Sequence, residues 1–339
     1  MGSTGELLQK LQEGRGDEAL RGLYALDGSD ASLEKGRERA VRVVRAFEAE
    51  FGARPEAALF SGPGRTEIGG NHTDHQHGRV LCGSVDLDML ACAAPNGTDL
   101  VRIQSEGYPA LEVDLRDLKV REEEKNSSPA LVRGVAARLA ELGCRPAGFD
   151  AYVTSTVLSG SGLSSSAAYE ILVATIIDCF FGGGTLDPVE RAKVGQYAEN
   201  VYFGKPCGLM DQMGSSVGGA VAIDFADPAA PVVKKVEYDF TRSGHALCIV
   251  DTGSCHADLT DDYADITREM GAVAAHFGKK FLRDVDEGAF RAALPQLRQE
   301  CGDRAVLRTM HFFEEDCRAE QELSLIHISE PTRRRGISY

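Results

Sequence analysis

A glycine- and serine-rich segment, residues 157–168 (V-L-S-G-S-G-L-S-S-S-A-A), is the feature that most restricts how this chain can fold. It lies between an alternating segment, F-D-A-Y-V-T-S-T-V, and an apolar run that extends to about Phe181. Alternation with a period of two predicts a half-buried strand, and the longer apolar run predicts a helix. Gly160 and Gly162 suit the tight turn between them, since glycine has no Cβ.

The same segment has the composition of a phosphate-binding loop. Ser164, Ser165 and Ser166 begin the predicted helix and can cap it. A loop that leads into a helix N-terminus directs several N–H groups and the helix dipole at one point. No G-K-[ST] follows, so this is not a Walker loop, and the third glycine of a dinucleotide fingerprint is absent. We expect phosphate here, with serine hydroxyls in reach of a magnesium ion; the alternative is a plain strand-to-helix turn.

A second motif, residues 64–77 (G-R-T-E-I-G-G-N-H-T-D-H-Q-H), places Arg65, Asn71, His72 and Asp74 in one short segment. These donors and acceptors suit a polyhydroxylated ligand. A metal site is the rival interpretation, because the segment resembles the H-x-H-x-D-H loop of metallo-β-lactamase-like hydrolases. That match is broken at Gly70, and surface exposure is the preferred interpretation of the last two histidines, at positions 75 and 77.

A third motif, residues 198–212 (A-E-N-V-Y-F-G-K-P-C-G-L-M-D-Q), supplies two acidic side chains. Asp211 can take a proton from a sugar hydroxyl or orient it. Glu199, on the preceding helix, can complete a magnesium site with a serine hydroxyl and phosphate oxygens. Taken alone, each carboxylate is more often a solvated surface group.

Composition and element order indicate a globular α+β protein. The chain has 339 residues, 43% of them apolar and 26% charged, which predicts about two domains, with a boundary near residue 210. The net charge of −15 argues against nucleic-acid and anionic-membrane partners. Nine cysteines without C-x-x-C spacing, and a polar start, predict a soluble cytoplasmic protein with reduced thiols.

Local patterns predict helices over the first fifty residues, and the continuous apolar pattern from Val80 to Ala94 predicts a buried strand or mixed structure. They also predict a helix that begins with Ser128 as its N-cap, a single helix over E-G-A-F-R-A-A-L-P-Q-L-R-Q, and strands that include residues 245–253. The short apolar run before S-G-P-G-R is expected to end in a glycine-rich turn. The segment L-S-L-I-H-I-S-E-P-T-R resembles the translation of a sequencing-library adapter, so residues 323–339 are predicted to be a non-native tail and the natural C-terminal end to be missing.

The three motifs, in this order, resemble the galactokinase branch of the GHMP kinase superfamily over about residues 60–321. The resemblance implies a two-domain α+β fold with the active site between the domains. Residues 1–210 would form the N-terminal domain with both loops, and residues 211–322 an incomplete C-terminal domain. It also implies ATP, Mg²⁺ and phosphorylation of the anomeric hydroxyl of galactose or a related sugar, with no obligate protein partner.

The resemblance also assigns roles to individual positions. It implies Asp211 and Arg65 as the catalytic pair, with Ser166 and Glu199 as magnesium ligands. The implied phosphate loop consists of Gly160, Ser161, Gly162, Leu163, Ser164, Ser165 and Ser166. The implied sugar-binding positions are Arg65, Asn71, His72, Asp74, Gly208, Asp211 and Tyr263.

The chain departs from the family pattern G-R-V-N-L-I-G-E-H-T-D-Y at three places. Asn71 replaces the usual Glu, Glu67 replaces the usual Asn, and His75 replaces the usual Tyr. An amide in place of a sugar-binding carboxylate changes the hydrogen-bonding groups and leaves the sugar open. The family's glycine-rich G-G-G-F-G-G stretch is absent, in agreement with a truncation. Two alternatives remain at this point: a non-catalytic sugar- and ATP-binding regulator, and a metal-dependent hydrolase built on H-T-D-H-Q-H.

Overall fold

The structure is a computed structural model that describes residues 1–158, 160–238, 247–250 and 260–334, without the side chains of residues 260–263 and 327–334. A seven-stranded mixed sheet lies at its centre. The strands are β1 (Ala58–Gly69), β2 (Arg79–Pro95), β3 (Leu100–Ser105), β4 (Leu111–Asp114), β5 (Phe149–Ser155), β6 (Ala220–Asp224) and β7 (Val232–Val236).

The long strand β2 organises this sheet. β1 runs antiparallel along one edge of β2, while β5 and β6 pair antiparallel with opposite ends of the other edge. β3 pairs with β5 in parallel, and the outer strands β4 and β7 pair antiparallel with β3 and β6. Antiparallel pairing, combined with helices that do not alternate regularly with the strands, confirms the α+β class.

Helices cover both faces of the sheet. The N-terminal helices are α1 (Thr4–Gln12), α2 (Asp17–Tyr24) and α3 (Asp30–Phe51), and the central helices are α4 (Ser128–Glu141), α5 (Ser165–Ile177), α6 (Pro188–Tyr197) and α7 (Met210–Val217). Along β2, Ala91 and Ala93 pack with α4, α5 and α6, whereas Leu90 and Cys92 pack with the N-terminal helices. Successive side chains of a strand face opposite sides, so burial on both sides explains the continuous apolar run of β2.

Helix α5 lies in the larger of these hydrophobic layers. By length and apolar composition the segment Ser165–Gly182 could cross a membrane, but 61% of it is buried inside the protein. Leu172, Val173 and Ile176 of α5 pack against the sheet and α4. This is the environment of a core helix in a globular protein.

The remaining described helices form a separate core. They are α8 (Thr260–His276), α9 (Glu287–Ala292), α10 (Leu294–Glu300) and α11 (Asp303–Arg334). Residues such as Val273, Phe290 and Phe312 pack with one another in this core. Ion pairs connect it to the sheet, because Asp316 of α11 binds both Arg79 of β2 and Arg283.

The sheet continues across residue 210, since β6 and β7 pair with the strands of the N-terminal part. The domain boundary at residue 210 therefore stays a prediction. Residues up to Val236 pack in the hydrophobic clusters of the sheet, and the residues of the helical core come later in the chain. Helix α11 continues past the predicted start of the tail, and Leu323 and Ile326 pack against Leu81 of β2. The assignment of residues 323–339 to a non-native tail also stays a prediction.

Three local predictions are wrong. The S-G-P-G-R segment is not a turn but part of β1, with a bulge between Pro63 and Arg65. The glycine at Gly62 has a packing role, because a Cβ there would lie 2.4 Å from the carbonyl oxygen of Ala168 in α5. The helix predicted over E-G-A-F-R-A-A-L-P-Q-L-R-Q is divided into α9 and α10, with Pro295 in the first turn of α10. The N-cap of α4 is Ser127 rather than the predicted Ser128. A third strand predicted at residues 245–253 falls mostly outside the described residues.

Candidate active site

An arginine–aspartate pair connects β1 to the first turn of α7. Arg65 follows the bulge in β1, and its Nε and Nη2 atoms lie 2.8 and 2.7 Å from Oδ1 of Asp211. The helix approaches this closely because Gly214 has no side chain: a Cβ there would lie 3.0 Å from Cβ of Arg65. The fold thus joins two motif residues that are 146 positions apart in the chain.

The pKa of Asp211 lies below its usual value. Burial alone would raise it, but the charge of Arg65 and hydrogen bonds from Ser164 and Arg65 outweigh that effect. The hydroxyl of Ser164 donates to Oδ2 of Asp211 at 2.6 Å. Asp211 is therefore ionised at neutral pH, which is the form that accepts or orients a hydroxyl proton.

The predicted phosphate loop lies beside this pair and is open. Gly160 and Gly162 have φ angles of 77° and 79°, and a Cβ on either would meet nothing within 4 Å. Leu163 anchors the loop to β1 by accepting the N–H of Arg65 at 3.1 Å, and the carbonyl of Gly162 accepts from Nη1 of Arg65 at 2.5 Å. The same arginine therefore holds both Asp211 and the loop.

The first turn of α5 offers free donors to this loop. Within the described part of the chain, the N–H groups of Ser165, Ser166 and Ala167 have no protein acceptor. Ser164 occupies the N-cap position in a left-handed conformation with φ of 56°, and its side chain makes no capping bond. The prediction that Ser164 caps the helix is therefore wrong, since its hydroxyl binds Asp211 instead. Uncapped N–H groups at a helix N-terminus are donors for an anion.

Ser166 and Glu199 lie together at the start of α5. Oγ of Ser166 donates to Oε1 of Glu199 at 3.1 Å, and Nζ of Lys205 lies 3.6 Å from the same oxygen. Glu199 belongs to a π-helical turn, Ala198–Phe203, that continues α6. The amide of Gln212, next to Asp211, donates to Oε2 of Glu199 at 2.9 Å. A buried carboxylate beside a hydroxyl is a set of hard oxygen donors, which fits Mg²⁺.

Asp74 of the second motif packs directly on Gly208. Asp74 begins a short 3-10 turn, Asp74–Gln76, and is 8% exposed. Its Oδ2 accepts the N–H of Met210 at 3.2 Å, and a Cβ on Gly208 would lie 1.8 Å from that oxygen. The structure thus brings the second and third motifs together at the start of α7.

Asn71 is held by its backbone rather than its side chain. Its N–H donates to Oε2 of Glu315 at 3.1 Å, and its carbonyl lies 3.1 Å from Nε2 of His311, both on α11. The side chain is exposed. His72 follows it with a φ of 54°. Tyr263 lies in α8, but its side chain is outside the described part of the structure.

The remaining histidines of the loop are partly buried. The ring of His77 stacks on Phe281 at a centroid distance of 3.5 Å, so the prediction of simple surface exposure is wrong for His77. Ligand atoms of His72, Asp74 and His75 lie within 4.8 Å of one another. This short spacing is the observation that supports the interpretation of the loop as a metal site.

Glu67 is a site residue that the sequence motifs did not select. It lies two residues after Arg65 on β1, so its side chain faces the same side of the strand. Oε1 of Glu67 accepts the N–H of His72 at 2.9 Å. Burial raises the pKa of Glu67, although the nearby charges of His72 and Arg65 lower it. The two-residue period of a strand could have identified Glu67, because it places Glu67 on the same face as Arg65.

Comparison with known proteins agrees with this arrangement. Residues 45–95 match the galactokinase galactose-binding signature, and residues 130–219 match the GHMP kinases N terminal domain. A galactokinase of Streptomyces coelicolor is 33% identical over 280 residues, which cover 83% of this chain and 71% of the relative. A galactokinase of Homo sapiens is 31% identical over 269 residues, which cover 77% and 67%.

A structural comparison gives the same fold. The crystal structure of Lactococcus lactis galactokinase complexed with galactose matches with a TM-score of 0.69 and 22% identity, over 85% of this chain and 74% of that chain. The sequence relatives, which share close to a third of their residues with this chain over at least two thirds of their length, establish the family. The chain belongs to the galactokinase family and has the GHMP kinase fold.

Proposed function

We propose that this chain is an ATP-dependent galactose kinase that transfers the γ-phosphoryl group to the anomeric hydroxyl and forms the sugar 1-phosphate. The observation that carries the proposal is the contact of Asp211 with both Arg65 and Ser164, at 2.8 and 2.6 Å. One carboxylate is thereby held between the sugar loop and the phosphate loop. The names and identities of the relatives support the kinase over a non-catalytic regulator or a metal-dependent hydrolase.

The chemistry follows from these positions. The anomeric oxygen attacks the γ-phosphorus, the bond to the β-phosphate oxygen breaks, ADP leaves, and the hydroxyl proton passes to ionised Asp211. Arg65 keeps Asp211 ionised and adds positive charge beside the transferred group. The free N–H groups at the start of α5 hold the phosphate oxygens.

Magnesium is part of the proposal. Ser166 and Glu199 would hold Mg²⁺, which neutralises charge on the phosphates when it is bound. Gln212 fixes the orientation of Glu199 through its amide. Gly160, Ser161, Gly162 and Leu163 would form the loop around the phosphates.

The sugar would contact the side of the site formed by the second motif. His72 and Asp74 would bind sugar hydroxyls, with Gly208 leaving room for the Asp74 carboxylate. Asn71 and Tyr263 stay proposed contacts of the sugar. The proposal also includes cytoplasmic location, and the free thiols of the cysteines in the described residues agree with a reducing compartment.

The test measures ADP release with galactose and ATP, and identifies the product by phosphorus NMR. We expect galactose 1-phosphate to form with wild-type protein and turnover to disappear when magnesium is chelated. Binding of galactose and ATP without any turnover would favour the regulator. One equivalent of tightly bound zinc, with hydrolase activity and no kinase activity, would favour the metal-dependent hydrolase.

A further inference from the structure

The carboxyl group of Glu67 lies beside His72, which is a proposed contact of the sugar. Its Oε1 accepts the backbone N–H of His72 at 2.9 Å. Among the residues that the structure describes, no group donates a hydrogen bond to its other oxygen, Oε2. Burial raises the pKa of Glu67, while the charge of His72 lowers it, that of Asp74 raises it and that of Arg65 lowers it. Such a carboxylate is stabilised by any donor that a ligand brings.

The position of Glu67 is fixed by the strand pairing. Glu67 pairs with Cys82 of β2, and Arg65 pairs with Ser84, without a shift of register between them. Both side chains therefore face the same side as the buried thiol of Cys82. Burial raises the pKa of Cys82 to about 12, and Arg65, Asp211, Glu67 and Asp74 all contribute to its electrostatic environment. These four charged residues therefore lie near enough to the Cys82 thiol to affect its pKa.

The neighbouring candidate Asn71 does not compete with Glu67 for this position. The side chain of Asn71 is exposed, and its backbone is bound to α11. The carboxylate that lies against His72 therefore comes from β1.

We propose that Oε2 of Glu67 accepts a hydrogen bond from one hydroxyl of the sugar and makes Glu67 a specificity-determining residue of this chain. A hydroxyl is the required class of donor, because a carboxylate accepts and does not donate. The inference rests on the proposed sugar kinase function, and it assigns the contact to Glu67 in addition to the residues predicted from the motifs.

The decisive variant is Glu67→Gln. Glutamine retains an oxygen for the N–H of His72 but replaces the second oxygen with an NH₂ group, which donates. We expect the KM for galactose to rise at least about tenfold, as for a lost charge-assisted hydrogen bond, while the KM for ATP stays within about twofold. Glu112→Gln is the matched control, because Glu112 is an exposed glutamate of β4 outside the site. An unchanged galactose KM in Glu67→Gln would overturn the inference.

A series of monodeoxy galactoses separates a direct contact from a change of structure. If Glu67 accepts from one hydroxyl, the loss in kcat/KM caused by Glu67→Gln falls to less than about twofold for the sugar that lacks this hydroxyl. An equal loss for galactose and for every monodeoxy sugar would show that Glu67 does not touch the substrate. If the Gln variant does not fold, Glu67→Asp is used in the same series, with the same two outcomes.

The same measurements distinguish the two proposals. Wild-type protein that neither binds nor phosphorylates galactose would refute the proposed function. Wild-type protein that is active, with Glu67→Gln equally active on all the sugars, would refute only the role of Glu67.

Discussion

The contact between Gly208 and Asp74 gives the most direct test of the site geometry. In Gly208→Ala, the new Cβ would lie 1.8 Å from Oδ2, 2.4 Å from Cγ and 2.9 Å from Oδ1 of Asp74. Carbon and oxygen atoms that are not bonded do not approach this closely, so Asp74 must move by more than about 1 Å. That movement breaks the hydrogen bond from the N–H of Met210 to Oδ2.

The expected loss of stability in Gly208→Ala has two contributions. Overpacking costs about 1–3 kcal/mol, and the loss of a hydrogen bond to a charged group costs about 1.5–3 kcal/mol, with partial overlap because one movement causes both. We expect the free energy of unfolding to decrease by about 2–4 kcal/mol. Because Asp74 is a proposed sugar contact, the KM for galactose should rise by more than about tenfold, whereas the KM for ATP should change little.

The assay combines urea unfolding with steady-state kinetics, and Gly22→Ala is the matched control. Gly22 lies in the exposed part of α2, and a Cβ there would meet nothing within 4 Å. That variant should be as stable as wild type or more stable by about 0.5–1 kcal/mol, because alanine favours a helix. If Gly208→Ala has wild-type stability and wild-type KM for galactose, Asp74 does not pack on Gly208 and the reasoning is refuted.

Three further predictions concern the catalytic groups. Asp211→Asn should lower kcat by at least about 100-fold, while the Kd for galactose should stay within about tenfold, or 1.4 kcal/mol. A near-normal kcat in this variant would show that Asp211 takes no part in the chemistry. Ser164→Ala removes a hydrogen bond that lowers the pKa of Asp211, so that pKa should rise and the acid limb of the kcat/KM profile should move to higher pH. The limb moves to higher pH because the Ser164 hydrogen bond lowers the pKa of Asp211 and so keeps Asp211 ionised down to a lower pH. An acid limb that does not move in Ser164→Ala would contradict this role of Ser164. Glu199→Gln should raise the Mg²⁺ concentration for half-maximal activity at least about tenfold with little change in galactose KM, and an unchanged magnesium requirement would remove Glu199 from the metal site.

Much of the fold could be predicted from local patterns. The alternation of F-D-A-Y-V-T-S gave β5, and the continuous apolar run gave β2. These predictions succeeded because side-chain periodicity reports which faces of an element are buried. Glycine and proline misled the prediction at S-G-P-G-R, where β1 continues because Gly62 lets the strand approach α5 closely. The positions of glycine and proline in the sequence do not show that two distant elements must pack closely together.

The sequence by itself determined the fold class and the three segments that carry the chemistry, because loop glycines, serines and acidic residues are visible as local patterns. Only the tertiary structure decided that Ser164 binds Asp211 rather than capping α5, and that Glu67 rather than the side chain of Asn71 lies against the site. The physical reason is that these contacts depend on how β1, α5 and α7 pack on the sheet. That packing is set by hydrophobic clusters whose members are far apart in the chain, as in the contact of Val80 and Cys82 with Met210 and Met213.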